Sequence, residues 1–516
     1  MIIKESRVQK SIINTIVGIT AQLINLILSF GLRTTFIKTL GIQYTGVSSV
    51  FADILMMLSF SELGVGTAIA TALYEPLKKG DKEYICCLMK FYKKAYRIVA
   101  ALVFVLGLVA LPFLDFIVND VPDVKEDIRI IFFFFLLKTA TSYLLIYKTT
   151  LMNADQKQYI VKWWETICIL TKYIVEMVLL FMYKNYMLYL VIEVVATILQ
   201  NIIVTNQVQK RYQYAFIKND NSLKKNDTQK LLRDIKGLAM YQISGSIGNS
   251  IDGVMVSSLI STTLTGLLSN YTLIRRQVEN IVKQFFNAII PSIGDLATEH
   301  DENKQYIVFN RIFYVSFVIV NFCSTSLYVL FGTFISIWLG EQYVLEDKLS
   351  FIIAFDFFLY IILQAIASFR TANGLFVKGQ YRPLITSILN IIFTFFFIHK
   401  WGVFGAIFAT VLCRILTQWY DPFILYKYIF KKRFIFFYTK YWLYISIYVF
   451  NAIFTRYLSS FVMIENIIIR FLFQCVLCFV IPNVIVILFT FRTDEFRYFV
   501  KIVMTKTKYS LNKVKV

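Results

Sequence analysis

Charge is scarce in this chain of 516 residues. Only 16% of them are charged, against roughly 25% in a soluble domain, and that shortage excludes an ordinary soluble protein. Histidine is scarcer still, with only His300 and His399. A structural zinc site takes about four ligands, so no metal site is expected. The cysteines offer no framework: Cys86 and Cys87 are adjacent in a basic segment, and Cys475 and Cys478 form a CxxC inside an apolar run with no partner pair. There is no Gly-rich phosphate loop, no HExxH and no GxSxG. The longest hydrophilic stretch, 207–236, is too short to hold a catalytic domain. These absences argue against an enzyme, catalytic residues and cofactors, and leave open only an active site within the membrane.

What is abundant is apolar sequence. Hydrophobic residues make up 58% of the chain, with 49 Phe and 32 Tyr. A bilayer-spanning helix needs about 20 apolar residues. Candidate spans recur from end to end at 11–32, 45–73, 96–114, 128–150, 159–182, 185–206, 237–260, 264–290, 312–338, 349–370, 382–399, 402–426, 441–461 and 467–491. The expected fold is an all-α polytopic membrane protein of about 14 transmembrane helices. "MIIKESRVQK" reads as a basic cytosolic start without a cleavable signal.

Basic residues orient the chain. The segments 76–97, 209–236 and 426–440 and the tail after Phe491 are rich in Lys and Arg, whereas 115–127, 261–266 and 339–348 are neutral or acidic. The alternation places both termini in the cytosol of a multi-pass protein in the bacterial inner membrane. It also accounts for much of the net charge of +21, so nucleic-acid binding is not needed.

The basic loop at 207–236 separates two runs of six spans, 1–206 and 237–430, followed by an appendage of two helices and a basic tail, 431–516. At a constant offset of 220, Thr45 matches Thr265, Gly46 matches Gly266, Ser49 matches Ser269, and Asp81 matches Asp301. Each half thus has a Thr-Gly, one unusually long helix and an acidic turn. Equivalent helices of the same direction predict parallel repeats.

The stretch "FIKTLGIQYTGVSSVFADILMMLSFSELGVGTAIATALYEPLKKGD" resembles the second-helix region of bacterial polysaccharide flippases of the O-antigen type. These are the polysaccharide-transporter branch of the multidrug/oligosaccharidyl-lipid/polysaccharide exporter superfamily. "SGSIGNSIDGVMVSSLI", followed by "LSNYTLI", is similar to that branch's seventh and eighth helices. The resemblance implies two six-helix lobes around a central cavity. It also implies alternating-access export of a polyprenyl-diphosphate-linked oligosaccharide from the inner to the outer leaflet, for surface polysaccharide assembly. Polymerase and chain-length proteins are the implied protein partners, and membrane lipid the surroundings.

Candidate site residues come from charge and depth. At 1.5 Å per residue, Arg275 and Arg276 lie about 16–18 Å into the eighth helix, Lys138 about 15 Å into the fourth and Lys172 about 19 Å into the fifth. Arg414 is about halfway down the twelfth, and Lys283 shares the helix of Arg275. Cations at this level cost several kcal/mol, and Arg and Lys bind phosphate oxygens. Two readings stay open: cations that receive a diphosphate, or cations paired with acids, Arg275 with Glu279 and Lys172 with Glu176. The intramembrane acids Asp53, Glu62, Glu193, Asp252 and Asp356 are the candidates for any coupling ion, because desolvation raises a carboxyl pKa, and Asp252, beside Gly and Asn, is the first choice, with Asp53 and Glu62 next. Polar faces at Asn14, Gly18, Asn25 and Ser29, and at Gln242, Ser246 and Asn249, serve either the cavity or helix packing. The runs "FFFF" (132–135) and "FTFFFIH" (393–399) are expected to face lipid or pack between helices. Two rivals remain, a multidrug exporter of the same superfamily and a polysaccharide polymerase or ligase. The first calls for an acidic cavity and the second for a large outer loop.

Overall fold

In lipid, a backbone satisfies its hydrogen bonds internally, as helices or closed barrels, and this chain forms helices. The structure, a computed structural model, describes residues 7–58, 65–119, 124–217, 223–299, 301–375, 378–379, 381–461 and 464–501, with no strand among them. In chain order the α-helices are α1 (Arg7–Leu40), α2 (Ile42–Leu58), α3 (Val65–Lys79), α4 (Lys82–Ala110), α5 (Leu114–Ile117), α6 (Ile128–Ala154), α7 (Gln158–Tyr183), α8 (Tyr186–Arg211), α9 (Lys225–Leu259), α10 (Thr262–Thr298), α11 (Glu302–Trp338), α12 (Asp347–Ile362), α13 (Gln364–Ala372), α14 (Arg382–Thr417), α15 (Tyr420–Leu425), α16 (Ile435–Phe461) and α17 (Ile467–Thr490). Every expected span overlaps one or two of these helices. Among the described residues, eight helical stretches are long and apolar enough to cross a membrane unaided, nine with the bent pair Ile128–Leu144 and Ile146–Ala154. The other expected spans, on α2, α9, α10 and α16, are shorter or more polar. The protein is an all-α polytopic membrane protein.

Two expectations take a different form. The single long helix over 45–73 is described as α2 and α3, on either side of 59–64, which lie outside the described residues. The spans 382–399 and 402–426 meet within α14, where Gly402 leaves helical geometry at φ 57°, ψ −138°. A Cβ on nearby Gly405 would lie 2.0 Å from the Phe397 carbonyl oxygen. Only a residue without a side chain lets the chain reverse that tightly.

Short polar residues start the helices. Asp81 accepts from the Tyr84 amide at 3.0 Å and caps α4, and Asp301 accepts from the Lys304 amide at 3.0 Å and caps α11. Each satisfies one of the unpaired amides of a first turn. These two aspartates are 220 residues apart, and this matched pair does the same work, capping a helix.

Packing divides the chain into two compact units, Met1–Ser269 and Asn270–Val516, with the boundary inside α10. In the first, α1 lies along α7, α6 packs on α4 and α8, and α2 packs on α9. The start of α10 also belongs there. A Cβ on Gly46 would lie 2.2 Å from the Thr262 carbonyl oxygen, and one on Gly266 would lie 2.7 Å from the Ile42 carbonyl oxygen and 2.9 Å from the Gly46 nitrogen. Ile42 and Thr262 are themselves 220 apart. The two helix starts therefore touch through equivalent residues, backbone on backbone, as small-residue crossings in membranes do.

In the second unit α11 is the common neighbour of α12, α16 and α17, and α12 packs on α14. Tyr444 stacks on Phe317 with centroids 4.0 Å apart, and Tyr448 on Phe358 at 4.2 Å. Lys440 donates to Asn310 at 3.0 Å and Glu495 at 2.7 Å. Rings and a hydrogen bond thus seat α16 on α11 and α12, and an ion pair ties the chain beyond α17 to α16. Of the Phe runs, Phe132 is buried, while Phe395 and Phe396 are exposed.

Candidate functional site

The helix α10 brings Arg275, Arg276, Glu279 and Lys283 into a largely apolar segment. Arg275 Nη1 lies 3.0 Å from Asp356 Oδ2 on α12, and Arg414 Nε on α14 lies 2.5 Å from the other oxygen, Oδ1. One buried carboxylate thus holds two guanidinium groups. One turn along α12, the Tyr360 hydroxyl accepts from Lys283 Nζ at 2.9 Å, and the Lys283 and Arg414 cations both stand 4.6 Å from the centre of its ring. That position suits a cation–π contact. Lys283 also pairs with Glu279 at 2.6 Å. Arg275 is therefore paired, but with Asp356 rather than with Glu279, which its neighbour Lys283 takes.

Arg276 differs. It is exposed and forms no ion pair or hydrogen bond among the described residues. Arg275, Lys283 and Arg414 stand against Asp356 and Glu279, which leaves one positive charge, and Arg276, next to Arg275 in the chain, brings a second.

The first unit contains a second cluster on α6, α7 and α8. Lys172 Nζ is 2.9 Å from Glu193 Oε1, and Lys138 Nζ is ion-paired to Oε2 of the same residue. The Tyr189 hydroxyl donates to Glu193 Oε1 at 3.3 Å. Glu176, one turn beyond Lys172, lies 3.8 Å from its ammonium. The expected Lys172–Glu176 neighbours are thus together, but the shorter contact goes to Glu193. On α1, the Arg33 guanidinium is in electrostatic reach of Tyr189 and has no ion pair or hydrogen bond among the described residues.

The candidate coupling acids fall elsewhere in the first unit. Asp53 on α2 faces α9, with its Oδ2 2.1 Å from where a Cβ of Gly253 would be. That places Asp53 opposite the residue after Asp252, and both acids have partners within the chain. Glu62 lies outside the described residues, as do the side chains of Gln242, Ser246 and Asn249. Asn14 is bound up in packing: its side chain donates to the Gln156 carbonyl at 3.0 Å and accepts from the Tyr159 amide at 2.7 Å.

The sequence marks the cations, and Asp356 and Glu193 as interior acids, but not the pairing of the two sets. Asp356 is 81 residues from Arg275 and 58 from Arg414, and no local pattern links positions so far apart. Tyr360 and Arg33 carried no signal beyond their helices. A depth comparison of these acids with the cations, helix by helix, is the signal that would join Asp356 and Glu193 to their partners.

Comparison with known proteins assigns the family. The sequence profile described as polysaccharide biosynthesis protein matches residues 11–297, more than half of the chain. The chain belongs to that family. No curated protein matches it. The fold of this family member is that of several solved transporters. The lipid II flippase MurJ, in an inward closed conformation, is 14% identical, with TM-score 0.65 over 93% of this chain and 98% of the other. A Vibrio cholerae MATE transporter, VcmN, is 13% identical, with TM-score 0.58 over 83% and 99%. An inward-facing multidrug resistance MATE transporter of the MOP superfamily is 13% identical, with TM-score 0.57 over 80% and 98%. The family member is a multi-pass membrane protein with a flippase or transporter fold.

Proposed function

We propose that the protein is a flippase that moves a polyprenyl-diphosphate-linked oligosaccharide from the inner to the outer leaflet by alternating access, for surface polysaccharide assembly. The observation that carries this reading is the excess positive charge around Arg275, Arg276, Lys283 and Arg414 in helices of a membrane protein. Charge at that depth is costly. Pairing for packing alone would be met by one acid for each cation, whereas here Arg276 has no partner among the described residues. A diphosphate is an anionic cargo that would offset the excess, and Arg presents a planar fork to phosphate oxygens. Arg276 is the first contact in this reading, and Arg275 and Arg414 are held in place by Asp356. Lys138 and Lys172 add dispersed positive charge. A site of several weak cations releases its cargo more readily than one tight clamp.

In this reading 1–206 and 237–430 work as equivalent halves joined by the cytosolic segment 207–236, with 431–516 as an addition. The protein sits in the bacterial inner membrane with both termini in the cytosol. Polymerase and chain-length proteins take over the exported product. Any coupling ion is assigned to Asp252, Asp53 or Glu62. The multidrug MATE structures share the fold, and a drug exporter is the second reading. The cationic character of the cluster weighs against cationic drugs as cargo.

The test is Arg276→Ala. Surface glycan should fall while the amount of protein in the membrane stays near normal, and Arg276→Lys should keep part of the activity. If Arg275→Ala, Arg276→Ala and the double variant all export normally at normal abundance, the phosphate role is wrong. Cysteine labelling from outside should miss Lys225→Cys and Lys432→Cys and reach Glu341→Cys; labelling at position 225 would invert the proposed orientation.

A further inference from the structure

Glu176 stands out among the interior charges. Its side chain is fully buried at 0% exposure, and neither carboxyl oxygen has a hydrogen-bond partner among the described residues. The nearest cation, Lys172 Nζ, is 3.8 Å away and is already given to Glu193 at 2.9 Å. Two carboxyl groups thus share one ammonium, and Glu193 has a second, Lys138. Other groups complete the surroundings. From α8 come Glu193 and Tyr189, and the Tyr189 hydroxyl is committed to Glu193. The helix α6 contributes Lys138, and α1 contributes Arg33, which is in electrostatic reach of Tyr189. On α7 itself, the Lys172 ammonium stands 5.1 Å from the Tyr173 ring centre. Lys172, at 3.8 Å, is the donor in this set that comes nearest to Glu176, and the Glu193 carboxyl is within hydrogen-bonding reach of it. A fully buried carboxylate with one shared cation is expensive, and a neutral carboxylic acid is far cheaper.

We infer that Glu176 is a proton-binding site whose occupancy sets the charge of the Lys138–Glu193–Lys172 cluster. With the proton bound, two ammonium groups face one carboxylate and the four residues carry one positive charge. When the proton leaves, two carboxylates face two ammonium groups and the charge is zero. A proton and a nearby anion therefore bind together, each favouring the other. The consequence for the anion rests on the reading of Lys138 and Lys172 as diphosphate-attracting cations. The proton site itself does not.

The experiment uses the full chain in lipid nanodiscs. Infrared difference spectra between acid and alkaline pH should contain the carbonyl band of a buried carboxylic acid, and Glu176→Gln should remove it while Asp356→Asn leaves it. A wild-type protein without such a titrating band overturns the proposal whether or not the variant folds, and so does a band that persists in Glu176→Gln. Farnesyl diphosphate is the anionic probe. One unit charge roughly 10 Å from the probe changes affinity by roughly tenfold at an effective dielectric constant of about 20. Wild-type affinity should therefore fall about tenfold more than that of Glu176→Gln as pH rises, the variant accounting for titration of the probe itself. Equal pH dependence in the two proteins overturns the link between proton and anion. If the band behaves as expected and the probe binds at no pH, the proton site stands and the flippase reading fails.

Discussion

The cluster on α6–α8 and the cluster on α10–α14 follow one plan and end at different charge. In each, a single carboxylate holds two cations: Glu193 takes Lys138 and Lys172, and Asp356 takes Arg275 and Arg414. The first cluster then adds another acid, Glu176, and the second adds another cation, Arg276. The first uses lysine and the second uses arginine at the bridging positions. Lysine is a point charge on a flexible stem, while arginine offers a rigid fork that keeps its charge when buried. The difference teaches that a bridging carboxylate gathers the cations in each cluster, while the further charged neighbour sets their sum. One cluster is balanced to a single proton, and the other is held positive.

Four changes probe this comparison, beginning with the largest. Asp356→Ala should be the most damaging, because it strands two guanidinium groups in a buried site, and breaking such pairs costs about 3–5 kcal/mol. Membrane abundance and thermal stability in detergent should both fall, and Asp356→Ala at wild-type stability would remove Asp356 as the organiser of the cluster. Glu193→Ala should cost less, since Lys172 keeps Glu176 3.8 Å away and the Lys138 side chain it releases is 35% exposed. Equal losses for the two would erase the distinction between a buried fork and a lysine able to snorkel.

Gly46→Val and Gly266→Val come next, by overpacking of about 1–3 kcal/mol. Gly46→Val should be the worse of the two, with 2.2 Å against 2.7 Å to the opposing carbonyl. Thermal unfolding of the purified variants decides the order. Asp81→Ala and Asp301→Ala should be the mildest, each losing a helix cap worth about 1 kcal/mol. Losses that match within error would support equivalent roles in the two halves, and a large disparity would confine the likeness to the sequence.

Much of this architecture was legible before any coordinates. Apolar run lengths marked the helices, and the spans 382–399 and 402–426 meet at the reversal made at Gly402. The offset of 220 singled out Gly46 with Gly266 and Asp81 with Asp301, because a backbone crossing and a helix cap each demand a particular small residue. The pairing of charges was not legible. Spacing of four residues offered Glu279 to Arg275, yet Glu279 binds Lys283 and Arg275 reaches another helix. Which of two nearby acids a cation takes depends on the angle at which helices cross, and the local sequence does not encode that angle. The flexible stems of Lys172 and Lys138 pose the same problem for Glu176 and Glu193.

The crossing of the two helix starts has a consequence in the language of oligomers. Gly46 meets the carbonyl region of Thr262, and Gly266 meets that of Ile42. This is the reciprocal pattern of an isologous contact, in which position i touches j and j touches i. Two identical subunits make such contacts routinely, and here one chain makes one with itself. In a homodimer a single mutation changes both sides at once and the patch stays self-complementary. Within one polypeptide the two sides are separate codons. A side chain gained at one glycine meets an unchanged backbone at the other, with no matching change to make room. The two positions are therefore bound to each other genetically, and a suppressor of Gly46→Ala is to be sought at 262–266 before anywhere else.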